Sequence, residues 1–71
     1  MKTIIFEAPG ISCHHCERAI TGAVSKLAGV AATKVDVPAK TVTVDYDAER
    51  ISIDTIKQTI EDQGYDVTKQ R

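Results

Sequence analysis

Hydrophobic and polar residues alternate in three stretches of the chain, and a period of two is typical of a strand that is covered on one face. The residues predicted to face the covered side are Ile4, Phe6 and Ala8; Thr33, Val35 and Val37; and Val42, Val44 and Tyr46. Pro9 and Gly10 end the first strand, and residues 38–40 are a short enough segment to join the other two as a hairpin. The pattern therefore predicts one strand followed, after an interval, by a β-hairpin.

Two other stretches repeat their hydrophobic residues every three or four positions, which is typical of a helix with one buried stripe. The stripes are Cys16, Ala19, Ile20, Ala23, Val24 and Leu27 in the first helix, and Ile53, Ile56 and Ile60 in the second. Gly29 is placed to stop the first helix in a left-handed cap. Ser52 is predicted to cap the start of the second helix, with Asp54 in its first turn. Gly64 lies beyond the predicted end of that helix.

The segment from Tyr65 to Lys69 completes the pattern as a short final strand, with Val67 facing inward. The predicted order is strand, helix, strand, strand, helix, strand. Every strand has one hydrophobic face and each helix one stripe, so two helices packed on one face of a four-stranded antiparallel sheet satisfy all six elements. The sequence predicts an α+β fold of the ferredoxin-like βαββαβ type.

The composition fits a single small domain that spans residues 1–71. With 42% hydrophobic and 27% charged residues, the chain is that of an ordinary globular protein. A net charge of -1 argues against a nucleic-acid partner, because a nucleic-acid-binding domain of this size usually carries a clear basic excess. No segment has the length of a membrane span or of the hydrophobic part of a secretory signal. We therefore expect a cytoplasmic protein without a membrane partner.

The reactive side chains of the sequence are concentrated in the stretch "CHHC", where Cys13, His14, His15 and Cys16 follow one another. Cys13 falls in the loop after the first strand, and Cys16 falls in the first turn of the first helix. Backbone N–H groups at a helix start stabilise a thiolate, the form that binds metal or attacks a disulfide. In a reducing compartment such a pair indicates metal ligands or a redox-active pair of thiols rather than a structural disulfide.

Three kinds of site are open for this stretch. A closed zinc site would have four donors, but donors on four successive residues diverge, and the chain has no Cys or His elsewhere. A thiol-disulfide enzyme also starts a helix with Cys-x-x-Cys, although this chain is short for a thioredoxin-like fold and lacks a late proline. An open site with two thiolates would select Cu(I) and leave room for a third sulfur from another protein, provided that the site is shallow and exposed.

The residues around the cysteines resemble a known family. The stretch "GISCHHCERAI" is similar to the Gly-Met-x-Cys-x-x-Cys signature of the heavy-metal-associated domain, and "IEDQGYDV" resembles the bacterial copper chaperones of the CopZ type. The resemblance covers essentially the whole chain and includes the predicted order of elements. It implies that Cys13 and Cys16 bind Cu(I), and that Tyr65 lies in the neighbouring loop close to the metal. The Tyr65 hydroxyl is expected to donate to a cysteine sulfur or to shield the site; the alternative is an aromatic residue at the start of the final strand that covers the edge of the core.

The resemblance further implies a copper carrier rather than an enzyme. Its expected acceptor is the metal-binding domain of a copper-transporting P-type ATPase, and a copper-responsive repressor is a second expected partner. The exposed polar face of the first helix, with Arg18, Thr21, Ser25 and Lys26, is expected to be either the docking surface or an ordinary solvated helix face. The chain is expected to be monomeric without copper, whereas two loaded copies would pair through shared Cu(I).

Two alternatives to a chaperone are kept. A metal-binding domain that belongs to a copper or zinc P-type ATPase would share the fold and the motif, although the start of the first strand directly after Met1 favours a stand-alone protein. A thiol-disulfide oxidoreductase would reduce disulfides repeatedly when a reductant is added. A carrier would instead take up Cu(I) stoichiometrically and show no turnover.

Two features depart from the family's pattern. Ile11 stands where relatives usually carry methionine, and its side chain is expected to pack beneath the loop. His14 and His15 both lie between the cysteines, where relatives often have one histidine. Each is expected to be an exposed spacer or else a third ligand or proton-dependent tuner of the thiolates. The second imidazole leaves selectivity between copper and zinc open, whereas Ser12 lacks the carboxylate that zinc- and cadmium-handling relatives often place before the first cysteine.

Overall fold

The chain folds in the order that its hydrophobic pattern predicts. A computed structural model describes residues 1–12 and 14–71, so Cys13 lies outside the described residues. The elements are β1 (Lys2–Glu7), α1 (His14–Ser25), β2 (Val30–Asp36), β3 (Thr41–Tyr46), α2 (Ile53–Asp62) and β4 (Lys69–Gln70). The strands form one antiparallel sheet in the order β2-β3-β1-β4. This arrangement confirms the ferredoxin-like α+β fold.

One hydrophobic core joins the sheet to both helices. The alternate residues predicted to face inward on β1 and β3 are all buried, and the fully buried members of the helix stripes pack against them. The fully buried large side chains are Phe6, Ile11, Ile20, Val24, Val42, Val44, Ile56 and Ile60. Because residues from α1 and α2 share one cluster with the inward face of the sheet, both helices cover the same side.

The final strand begins later than the pattern predicts. β4 starts at Lys69 rather than at Tyr65, and residues 65–68 have no regular structure. The register Glu7↔Lys69 would bring Val67 opposite Pro9, which has no N–H to donate and lies in the turn that leaves the sheet. The ladder therefore stops where β1 stops. Val67 is nevertheless partly buried against the core, as its predicted inward orientation requires.

The predicted ends of the helices are confirmed at α2 and corrected at α1. Ser52 caps α2 by accepting a hydrogen bond from the Thr55 amide at 3.2 Å. Gly64 follows the end of α2 with a left-handed φ of 93°. Helix α1 ends at Ser25, before Leu27, so Gly29 is not its cap. Gly29 instead has a φ of 97° in the turn that leads into β2.

Neither described helix combines the length and the hydrophobic character needed to cross a bilayer.

Gly29 is required by crowding as well as by its backbone angle. A Cβ atom there would lie 2.9 Å from Cβ of Arg50 and 3.0 Å from Cγ2 of Ile51. We predict that Gly29→Ala lowers the free energy of unfolding by about 2–4 kcal/mol, which combines left-handed strain with overpacking. Urea denaturation followed by circular dichroism measures this change.

The matched control is Gly22→Ala in α1, where an added Cβ meets no atom within 4 Å. This substitution is expected to raise the free energy of unfolding by about 0.5–1 kcal/mol, since alanine is the better helix former. Equal effects of the two substitutions would contradict the steric explanation for Gly29.

Candidate metal site

The loop between β1 and α1 is anchored at both sides. Ile11 is fully buried in the core, and its amide donates to the Ala8 carbonyl at 3.1 Å, which closes a turn over Pro9 and Gly10. The Ala8 amide in turn donates to the Lys40 carbonyl at 2.9 Å, which ties the loop to the β2–β3 hairpin. The position of Ile11 confirms that it packs beneath the loop. Ser12 lies at the surface directly after this anchor.

The support from Lys40 was not identified from the sequence. Lys40 has a left-handed φ of 57°, which directs its carbonyl toward the loop. The available signal was the antiparallel register, because Glu7↔Thr41 brings Ala8 opposite Lys40. Such a register can be recognised only after β1 and β3 have been assigned as neighbours.

Cys16 lies in the first turn of α1, as predicted, but it is more buried than an exposed site requires. Its residue is 7% exposed and belongs to the hydrophobic core cluster. Its place in the hydrophobic stripe explains this burial, because the stripe faces the sheet. The N–H groups of the first helical turn lie nearby and carry the partial positive charge that stabilises an anionic sulfur.

His14 and His15 lie on the exposed side of the same turn. The His14 side chain is 92% exposed, and its Nδ1 lies 3.4 Å from Oε2 of Glu17. Residues two apart on a helix point about 200° away from each other, so His14 projects away from the buried Cys16. Within residues 1–12 and 14–71, no three His, Cys, Asp or Glu side chains gather into a metal-binding group. The arrangement of the described residues favours the interpretation of His14 as a spacer.

Tyr65 lies beside Gly10 of this loop. Gly64 turns the chain at the end of α2, and the partly buried Tyr65 follows it and packs against the core. A Cβ atom at Gly10 would lie 3.7 Å from Cδ1 of Tyr65, so the aromatic ring lines the loop between β1 and α1, which is called the metal loop below. The structure thus brings Tyr65 and the loop together, although they are 55 residues apart in sequence (65 − 10).

The predicted docking face of α1 is largely open to solvent. Arg18, Ser25 and Lys26 are exposed, whereas Thr21 is half-buried. Of the two cationic side chains, only Arg18 lies within α1, the helix that begins at the metal loop. Arg18 is close to the loop, and Lys26 lies just beyond the far end of the helix.

Comparison with known proteins agrees with this geometry. The heavy-metal-associated domain model matches residues 5–66. The copper chaperone CopZ of Staphylococcus haemolyticus is 46% identical to this chain over 63 residues, which cover 89% of this chain and 93% of that protein. A solved structure of a CopZ metallochaperone is 36% identical, with a TM-score of 0.92, and the match covers 94% of this chain and 100% of that one.

A second solved structure extends the comparison to transporters. The yeast copper transporter domain CCC2A, determined in its apo and Cu(I)-loaded states, is 30% identical to this chain with a TM-score of 0.87. The match covers 94% of this chain and 92% of that domain. The family match spans the loop between β1 and α1, both helices and strands β2 and β3. The chain therefore belongs to the heavy-metal-associated domain family.

Proposed function

We propose that this protein is a copper chaperone that holds Cu(I) between the sulfurs of Cys13 and Cys16. The observation that carries the proposal is the position of Cys16 in the first turn of α1, directly after a loop that the core anchors through Ile11. A helix start supports a thiolate, and two residues between the cysteines allow both sulfurs to converge on one ion. The likeness to CopZ proteins supports copper as the metal.

The donor set favours Cu(I) over harder ions. Thiolates are soft ligands that select Cu(I), whereas zinc in structural sites takes four ligands. Ser12 offers no carboxylate before the first cysteine, and His14 projects away from Cys16. A two-sulfur site of this kind leaves the copper coordinatively open.

Transfer proceeds by ligand exchange in this proposal. A thiol of the acceptor loses its proton and bonds to the copper as a third sulfur ligand, after which one cysteine sulfur departs and takes up a proton. A second acceptor thiol then displaces the other cysteine sulfur in the same way, which completes the transfer. The incoming sulfur attacks the metal rather than Cys16, so the burial of Cys16 is compatible with transfer. Cys16 acts as the fixed inner ligand, since the core holds its residue in place. No free copper ion is released at any step.

The acceptor is the metal-binding domain of a copper-transporting P-type ATPase. Support comes from the likeness to a copper transporter domain that was determined in a Cu(I)-loaded state, since a donor and an acceptor of one fold can hold the same ion in turn. Arg18 on α1 and Lys26 just beyond its end would dock against an acidic surface, which steers the encounter more than it adds affinity. A copper-responsive repressor is a second acceptor of the same chemistry. This exchange takes place in the cytoplasm, where thiols stay reduced.

In this proposal the oligomeric state depends on whether copper is bound. The chain is monomeric without copper in dilute solution, and two loaded copies pair when their sulfurs share Cu(I). The protein acts as a carrier and not as a catalyst, so each molecule takes up copper once and then passes it on.

A second candidate is a metal-binding domain of a transporter itself. The 30% identity to the yeast copper transporter domain favours it, but the identity to the S. haemolyticus chaperone is higher, at 46%. Both candidates bind copper at the same two cysteines. The full reading frame of the gene distinguishes them, since a transporter would continue into membrane-spanning segments.

The two cysteines are the first test of the copper site. We predict that Cys13→Ser and Cys16→Ser each lower Cu(I) affinity, because each removes a thiolate ligand. The loss should exceed roughly 10–100-fold, which is the usual cost of removing a residue that only supports a ligand. Competition with a coloured Cu(I) chelator measures this affinity. Ser25→Ala, an exposed substitution at the far end of α1, serves as control. Unchanged affinity in both cysteine variants would refute the site.

The imidazoles test whether the site uses sulfur alone. Because His14 projects into solvent, we predict that the double variant His14→Ala/His15→Ala changes Cu(I) affinity at neutral pH by less than about threefold. The same chelator competition applies. A loss of roughly tenfold, equivalent to about 1.4 kcal/mol, would assign a ligand role to at least one imidazole.

Tyr65 tests whether the aromatic ring shields the copper. The ring lines the loop at Gly10, so we predict that Tyr65→Ala accelerates removal of Cu(I) by a chelator several-fold, whereas Tyr65→Phe leaves the rate unchanged. Stopped-flow absorbance gives both rates. If Tyr65→Phe matched Tyr65→Ala instead, the hydroxyl rather than the ring would be the protecting group.

A further inference from the structure

Strand β2 forms one edge of the sheet, and the directions of its backbone hydrogen bonds follow from the registers of the other strands. Ile5 and Arg71 exchange two backbone hydrogen bonds of 2.8 Å, so the odd-numbered residues of β1 direct their N–H and C=O groups toward β4. In an antiparallel sheet this direction alternates along the strand. The even-numbered residues of β1 therefore bond to β3, and β3 uses its even-numbered residues, such as Val44, for that ladder.

The same alternation fixes which groups of β2 face the open edge. The odd-numbered residues of β3 bond to β2, where Lys34↔Thr43 and Asp36↔Thr41 are the opposed pairs. The backbone groups of Lys34 and Asp36 are thus directed into the sheet. Those of Thr33 and Val35 point outward, where no described strand pairs with them. The irregularity in the ladder lies between Val30 and Ala32, so the segment from Thr33 to Asp36 is regular.

The charged side chains on this edge stand on the outer face of the sheet. Lys34 and Asp36 are exposed, whereas the Val35 side chain between them is buried under the helices. Within the described residues, Lys34 makes no ion pair. Asp36 uses Oδ1 to accept the Ala39 amide at 3.2 Å.

We propose that the β2 edge pairs with the β2 edge of a second copy of this chain, antiparallel and centred on Val35. In that register Lys34 of each copy lies directly opposite Asp36 of the other, so two pairs of opposite charge form on the outer face. Centring the pair on Lys34 or on Asp36 would instead oppose like charges. A lysine on an edge strand ordinarily prevents pairing, and here Asp36 of the second copy neutralises it.

The pairing leaves both metal loops open. The two copies are related by a two-fold axis that is perpendicular to the sheet and lies midway between their Val35 residues. This symmetry continues the sheet across both copies and keeps all four helices on one side. The metal loop lies at the Asp36 end of the sheet, because Asp36↔Thr41 and Thr41↔Glu7 align with the end of β1. Antiparallel pairing sends the two Asp36 ends in opposite directions. The contact is also small by the standard of stable interfaces, so it forms in concentrated and not in dilute solution.

Charge reversal provides the test of this register. The metal-free protein, kept with a reductant and a metal chelator, is studied by sedimentation from micromolar to millimolar concentration. We expect a concentration-dependent monomer–dimer equilibrium for the original chain. Lys34→Glu and Asp36→Lys should each weaken the dimer roughly tenfold, because each creates two like-charge pairs. Lys2→Glu makes the same charge change on exposed β1 and is the control.

Two further samples distinguish this pairing from a general charge effect. The double variant Lys34→Glu/Asp36→Lys should dimerise again, since the charges are exchanged within each copy. An equimolar mixture of the two single variants should associate as a heterodimer, because glutamate and aspartate of one then face two lysines of the other. A monomer at every concentration, or a dimer that ignores these substitutions, would overturn the proposal.

Amide hydrogen exchange locates the contact. On dimerisation the amides of Thr33 and Val35 should gain protection, whereas those of Lys34 and Asp36, already directed into the sheet, should change little. Protection at the metal loop in place of β2 would also overturn the proposal. None of these outcomes depends on copper, so they leave the proposed chaperone function unaffected.

Discussion

The burial of Ile11 is the constraint on which the metal loop depends. A loop that carries metal ligands must lie at the surface, yet it must also hold its shape when no metal is present. Ile11 places one fully buried side chain in the core directly after the turn at Pro9 and Gly10. Burying an isoleucine contributes roughly 1.5–3 kcal/mol, which is enough to fix one end of a short loop. The first turn of α1 fixes the other end.

This anchoring gives the two sulfurs different roles in the proposed transfer. Cys16 belongs both to the metal motif and to the hydrophobic stripe of α1, and the stripe determines its burial. A residue held by the core moves little, so Cys16 stays in place during the proposed exchange. Tyr65 borders the metal loop at Gly10. The proposed site thus has Cys16 held by the core, and a partner would approach from the solvent side of the loop.

The sequence predicted the elements and their inward residues because these depend on local periodicity. It could not predict where β4 begins, since that boundary depends on Pro9, some 60 residues earlier, which ends the strand that β4 must pair with. Gly29 was recognised as a left-handed residue, but its crowding arises from Arg50 and Ile51, which no local pattern reveals. Cys16 was expected both in a buried stripe and in an exposed site. The structure shows Cys16 buried with the other residues of the stripe.

The order of the strands has a consequence for synthesis on the ribosome. β1 is made first but lies in the interior of the sheet, between β3 and β4. It can acquire its first neighbour only when Thr41–Tyr46 has left the exit tunnel, and its second only when the chain reaches residue 69. Ile11 therefore lacks its pocket until these strands have been made, and the cysteines beside it emerge on a nascent chain before the core that supports the loop exists.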